Sequence, residues 1–323
     1  MNTQLLETVH GRSNHLVDPT LSIWGWQIVL YLFLGGLVAG ILVLAAGLQL
    51  KEGRRPLSAV LRWAPVSALG LLSLGMFFLW LDLEHPFFAF RFYMLFHLTS
   101  PMSWGAWILL LVYPAGILLA LISLTEGERG LLSGRLPASL RGGFSSLAAW
   151  ADGNRRPILL TAAFSGVALG IYTGLLLGTM PARLAWNSAV LGPLFLASGT
   201  STGAAFLLLF ALDAGERKTL MTWDAAAIGA ELALIALMVL GFATGPEPAR
   251  YAAGLLLGGK YTAVFWSVVV VAGLLVPLGL EAIEARRHLP FTLLIPLLIL
   301  AGGLALRWIL LAAGQESAFR LLS

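Results

Sequence analysis

The chain has 323 residues, 59% of them hydrophobic and 11% charged, with a formal net charge of +4 and no cysteine. Soluble domains carry about 25% charged residues, so a chain this apolar is excluded from that class and takes the bilayer as its solvent. Without cysteine there are no disulfides, no thiolate nucleophile and no iron–sulfur cluster held by this chain, and the basic excess reads as membrane topology before it reads as affinity for nucleic acid.

Residues 1–23 form a polar lead with Arg12, Asn14, His15 and Asp18. It reads either as a surface tail or as a segment folded over the membrane end of the first helix. The stretch from Trp24 to Leu48 then carries no charge over about 25 residues, enough to cross roughly 30 Å of hydrocarbon. Trp24 and Trp26 mark its start, as expected at the headgroup layer. Gln27 and Tyr31 lie four apart and share a face, while Gly36 and Gly40, also four apart, make a notch for another helix.

A basic loop with Lys51, Arg54 and Arg55 leads to a second span over about 61–81, which exits through Asp82-Leu-Glu-His85-Pro86. The third span covers about 103–124. The loop 125–156, rich in Gly, Ser and Arg, is the one connection able to hold a small amphipathic helix. Further spans are expected over 157–179, with Tyr172-Thr-Gly174, and over 189–212, with small hydroxyl residues from Ser198 to Thr202. The last three cover 225–244, with Glu231, 262–283, and 290–313, with Arg307. None of the five histidines sits in the middle of a span, which argues against a bis-histidine haem.

Thirteen Lys and Arg residues fall in or beside the odd-numbered loops and six in the tails and even-numbered loops. Positive charge marks the cytoplasmic side, so both termini are expected on the outer, periplasmic face. Leu32-Phe-Leu-Gly-Gly-Leu echoes Leu194-Phe-Leu-Ala-Ser-Gly four spans later, either by chance or because the chain repeats a four-helix unit in parallel. The expected fold is therefore all-α, with eight transmembrane helices in two four-helix bundles, one over 24–188 and the other over 189–323.

This orientation gathers Gln27, Tyr31, Asp82, His85, Tyr172 and Arg307 toward the outer third of the membrane, leaving Glu231 in the inner half of its span. Each has a plainer reading: interfacial anchoring for Tyr31, helix capping for Asp82 and His85, snorkelling for Arg307, and a structural ion pair or protonated carboxyl for Glu231. As a set they suit a quinone headgroup. Gln27, Tyr31 and Tyr172 can donate hydrogen bonds to a quinone carbonyl. His85, with an unperturbed pKa of about 6.5 for its residue type, can relay protons with Asp82 orienting it.

Five stretches together resemble the NrfD/PsrC family of quinone-reactive membrane subunits of polysulfide reductase and related enzymes. They are Trp24-Gly-Trp-Gln-Ile with Tyr31-Leu-Phe-Leu-Gly-Gly-Leu, Asp82-Leu-Glu-His85-Pro86, Thr99-Ser-Pro-Met-Ser-Trp-Gly-Ala-Trp107, Tyr172-Thr-Gly174, and Leu196-Ala-Ser-Gly-Thr-Ser-Thr-Gly203. The resemblance implies a chain in the bacterial inner membrane with no metal, haem or iron–sulfur centre of its own. Such a protein exchanges electrons between menaquinone or ubiquinone and a four-cluster [4Fe-4S] ferredoxin-like subunit, which serves a molybdopterin or multihaem cytochrome subunit. It places Gln27, Tyr31 and Tyr172 at the headgroup. Where polysulfide reductase has asparagine and histidine at the spacing of Gln27 and Tyr31, this chain has glutamine and tyrosine, so His85 or His15 is an alternative proton donor. A competing expectation is a secondary transporter or proton-translocating unit, with Glu231 and Arg307 on the pathway.

Overall fold

The computed structural model of the chain describes residues 24–53, 56–94, 100–180, 183–210, 212–287 and 292–317. The polar lead with His15 lies outside these residues. Among the described residues, eight helices are long and apolar enough to cross a membrane: α1 (Trp26–Glu52), α2 (Ala59–Asp82), α4 (Pro101–Ser123), α7 (Arg155–Gly178), α8 (Leu191–Leu208), α9 (Ala214–Thr244), a composite helix from Thr262, and α13 (Leu294–Glu316). The composite helix runs through α11 (Thr262–Val264), an 11-residue π-helical stretch (Phe265–Leu275) and α12 (Val276–Arg287). Shorter helices lie between the spans: α3 (Arg91–Met94), α5 (Glu126–Gly134), α6 (Ala138–Gly153) and α10 (Glu247–Leu257).

α1 is apolar on every side, and a helix of that pattern must be enclosed by others. It packs against α2, α7, α8 and α13. α1, α2, α4 and α7 close one ring of neighbours. The other four spans pack through α8 on α9 and on α13, and through α13 on the π-helical stretch. α1 and α7 meet α8 between the two groups.

The sixth span begins at Ala214, eleven residues before the position expected from hydropathy. Glu216, Arg217, Lys218 and Asp224 lower the local hydropathy, yet they continue one helix. Glu216 holds its first turn, accepting from the Asp213 backbone N–H and from the Ser58 N–H of the loop before α2. Glu231 consequently lies near the middle of α9 rather than near an inner end. α8 is shorter than expected, ending at Leu208.

The start of the first span and the end of the last are clasped together. The Trp24 N–H donates to Gln315 Oε1 at 3.0 Å, and Gln315 Nε2 donates to the Trp24 carbonyl at 3.0 Å. The Trp186 indole donates to the Leu310 carbonyl at 2.8 Å, and Arg183 to the Gln315 carbonyl at 3.0 Å. These bonds put the start of α1 and the end of α13 on one face of the membrane, as an even number of crossings requires.

The glycine notch of α1 is filled by the small-residue run of α8. A Cβ on Gly40 would lie 2.0 Å from the Gly199 carbonyl oxygen, and one on Gly203 would lie 2.7 Å from the Gly40 carbonyl carbon. Backbone thus touches backbone, which only small residues permit. Gly40→Ala should force the two helices apart and cost about 1–3 kcal/mol, the range for overpacking a filled site. Thermal unfolding in detergent micelles tests this, with Gly70→Ala as control, since a Cβ there meets nothing within 4 Å and should leave the transition unchanged.

Candidate functional site

A cavity of about 370 Å³ opens among α1, α2, α4 and α7. Its walls are apolar and aromatic, including Met76, Phe77, Leu79, Trp80, Leu109 and Leu176. Three tyrosines line it: Tyr31 from α1, Tyr172 from α7 and Tyr93 from the short α3. Tyr31 and Tyr172 are each 5% exposed. At 1.5 Å per residue, Tyr31 is about 8 Å in from the start of α1 and Tyr172 about 9 Å in from the end of α7, so the two meet at one depth. Ser73 also lines the cavity and hydrogen-bonds Tyr113 at 3.2 Å.

Gly105 explains the Ser-Trp-Gly-Ala-Trp motif. A Cβ at that position would sit 2.0 Å from the Tyr172 hydroxyl. The glycine is therefore the floor on which the phenol rests, and Gly105 and Ala106 both line the cavity. Sequence reasoning found Tyr31 and Tyr172 and missed Tyr93 and Gly105.

The remaining expected residues lie elsewhere. Gln27 is partly buried at the first turn of α1 and does not line the cavity. Asp82 ends α2, and its carboxyl lies beside the Gly25 backbone at the start of α1. His85 is exposed, its ring edge-on to Phe88 at 6.3 Å, and it too is outside the cavity. Leu83, between them, does line it.

Arg307 and Glu231 belong to a second polar system. Arg307 is fully buried. Its Nη1 donates to Ser198 Oγ at 2.5 Å and to the Gly303 carbonyl at 2.9 Å, and its guanidinium lies 5.3 Å from the centre of the Phe195 ring. Glu231, 2% exposed, lies beside Ser198 and Arg307. One turn away on α8, Ser201 Oγ donates to Asp224 Oδ1 at 2.6 Å, and Asp224 faces Glu281 of α12. Asp224 and Glu231 are seven residues apart, so two turns of α9 hold them on one face. That spacing was the available signal for Asp224. Arg307 abuts Gly36 of α1, where a Cβ would lie 2.7 Å from Nη2, so α1 separates the tyrosine cavity from this buried run of ionisable groups. Among the described residues, no group of three or more His, Cys, Asp or Glu comes together as a metal site.

Eight apolar helices enclosing a tyrosine-lined cavity define a multi-pass integral membrane protein. The family profile described as "Polysulphide reductase, NrfD" matches residues 13–318, and the chain belongs to that family. It is 29% identical over 306 residues to the C subunit of polysulfide reductase from Wolinella succinogenes, covering 91% of this sequence and 94% of the relative. It is 29% identical over 305 residues to "Protein NrfD" of Escherichia coli, covering 91% and 95%. A "Protein NrfD homolog" of Haemophilus influenzae is 28% identical over 307 residues, covering 91% and 94%. The similarity to these relatives thus extends over nearly the whole length of the protein.

Gly105→Ala should push the Tyr172 phenol out of its seat without touching the other walls. The expected outcome is a folded protein whose affinity for a quinone analogue falls by an amount similar to that of Tyr172→Phe. Titration of the purified protein with the analogue measures it, and unchanged affinity in Gly105→Ala would show that the contact does not position the ring.

Proposed function

We propose that this chain is the membrane anchor and quinone-reactive subunit of a respiratory oxidoreductase, with the tyrosine cavity as its headgroup site. The observation that carries the reading is the convergence of Tyr31, Tyr172 and Tyr93 on one apolar cavity between α1, α2, α4 and α7. A quinone, when bound, supplies a lipid-soluble carrier of two electrons and two protons. It is a flat apolar ring with carbonyl acceptors, and the cavity offers apolar walls with phenolic donors, at a volume within the range of small-molecule sites. Tyr31 and Tyr172 donate to and orient a carbonyl. Tyr93 stands on the loop side and can pass a proton toward the surface that holds Asp82 and His85. The exposed Phe77 and Trp80 form the lipid-side wall past which an isoprenoid tail can lie.

By this reading both ends of the chain face the periplasm of a bacterial inner membrane, as the charge asymmetry of the loops indicates. The cavity then lies near the outer surface, where a four-cluster ferredoxin-like subunit can receive electrons for a molybdopterin or multihaem partner. The lead with His15 and the segment from Asp82 to Pro101 are the docking surface for it.

The buried series from Glu281 through Asp224, Glu231 and Arg307 favours an added role in proton movement. Ionisable groups inside spans are expensive, about 2.5–3.5 kcal/mol each on insertion scales, and here four are buried close together, Arg307 bonded to Ser198 and Asp224 to Ser201. Glu231 is the central member and the proposed carrier of protons from the cytoplasmic side.

Tyr31→Phe and Tyr172→Phe should each lower quinol-linked kcat/KM of the purified complex roughly tenfold, the equivalent of one hydrogen bond worth about 1.4 kcal/mol. Unchanged activity in both variants would reduce the chain to a structural anchor. Separately, Glu231→Gln should lower proton uptake per electron in proteoliposomes while electron transfer persists. An unaltered stoichiometry would remove Glu231 from any proton route.

A further inference from the structure

The loop between α4 and α7 is folded as a helical hairpin whose outer surface is left uncovered among the described residues. α5 starts on a capping box: Thr125 Oγ1 accepts from the Glu128 N–H, and the Glu128 carboxylate accepts from the Thr125 N–H at 2.8 Å. Arg62 and Trp63 of α2 also donate to Glu128, and Arg129 pairs with Asp152 at 2.6 Å, holding the start of α5 against the end of α6. Burial pushes the Glu128 carboxyl up, but the bonds from Thr125, Arg62 and Trp63 outweigh it and hold it at about 2. The hairpin is thereby pinned at its base, and two of its three acids are consumed in ion pairs, leaving Glu126 exposed.

What remains outside is apolar and basic. On α6, Leu140 (57% exposed), Leu147 (41%) and Trp150 (53%) fall at i, i+7 and i+10, on one side of the helix. Arg135 and Arg141 are exposed along the same hairpin, Arg141 also donating to the Leu136 and Gly134 carbonyls, and Arg156 is exposed in the first turn of α7. The apolar surface resumes on α7 at Leu160 (53%) and Phe164 (65%), on a helix that spans the bilayer. A leucine and tryptophan stripe flanked by arginines is the pattern of a helix lying in the headgroup region of an anionic leaflet. We propose that the α5–α6 hairpin lies on the bilayer surface as an interfacial clamp, with Leu140, Leu147 and Trp150 immersed beneath anionic phosphates that Arg135, Arg141 and Arg156 engage. The exposed Leu160 and Phe164 on the membrane-spanning helix that follows directly, and the surplus of exposed arginine, select a lipid surface over a soluble protein as the occupant.

The absence of cysteine makes the test direct. Single cysteines at Leu147 and at Ser145, which is exposed about 160° round the helix and on the side away from Trp150, are spin-labelled in the full chain in nanodiscs of phosphatidylglycerol and phosphatidylcholine. The label at 147 should collide with oxygen, be shielded from an aqueous nickel chelate, and lie about 5–10 Å below the phosphates, while the label at 145 meets the chelate. In nanodiscs of phosphatidylcholine alone, the 147 label should shift toward water. Equal exposure of 147 and 145 to the chelate would overturn the proposal, as would shielding of 147 from both reagents, which marks a protein contact. Immersion that ignores lipid charge would overturn the arginine part. Quinol-linked activity is read in parallel, and because both labelled sites are remote from the tyrosine cavity, its loss or retention bears on the cavity alone.

Discussion

Everything in this fold depends on how closely α1 and α8 approach. Gly36 and Gly40 on one helix and Gly199 and Gly203 on the other bring backbone against backbone across the centre of the molecule. Lipid gives helices no hydrophobic reason to associate, so packing and the few interhelical polar bonds must do it. Here the two causes coincide. The space left by Gly36 admits the Arg307 guanidinium, and the same α8 segment supplies Ser198 to hold it. A larger side chain at any of these glycines would separate the helices and strand a buried cation.

The approach also gives α1 two working faces. Toward α2, α4 and α7 it presents Tyr31 to an apolar cavity. Toward α8 and α13 it presents glycine to Arg307 and, through Ser198, to Glu231. Gly36 lies about 15 Å below the start of α1 and Arg307 about 14 Å below the end of α13, so the buried ionisable groups reach the mid-depth of the membrane just beneath Tyr31. The proposed site for a proton-coupled electron carrier above, and a polar column below, share one helix. That arrangement is what makes the proposed coupling between them physically short.

Much of this was legible in the sequence. The spans followed from apolar run length and the notch on α1 from two glycines four apart; that the Ser198–Thr202 run fills the notch emerged only from the packing. Tyr31 and Tyr172 were recognisable as buried polar residues at matching depth. Other features were hidden for definite reasons. Tyr93 stands on a four-residue helix in a connection with no periodicity to read. Gly105 could be quoted as part of a motif, but its reason, a phenol resting on it from α7, exists only between helices. Asp224 fell at the edge of a hydropathy window because nearby charges hid the continuation of α9. Glu281 stands first in a run of charges at a helix exit, a place that gives no sign of burial, yet it is 4% exposed. Gln27 shares a face with Tyr31, yet its place at the first turn leaves it short of the cavity, since a shared helix face does not set depth.

The most direct measurement is a cryo-EM map of the complex with a quinone or tight-binding quinone analogue bound. Headgroup density between α1, α2, α4 and α7, within hydrogen-bonding distance of the Tyr31 or Tyr172 hydroxyl, is the expected result. Density lodged instead at the opposite membrane face, or beside Arg307 and Glu231 with the tyrosine cavity filled by lipid, would contradict it.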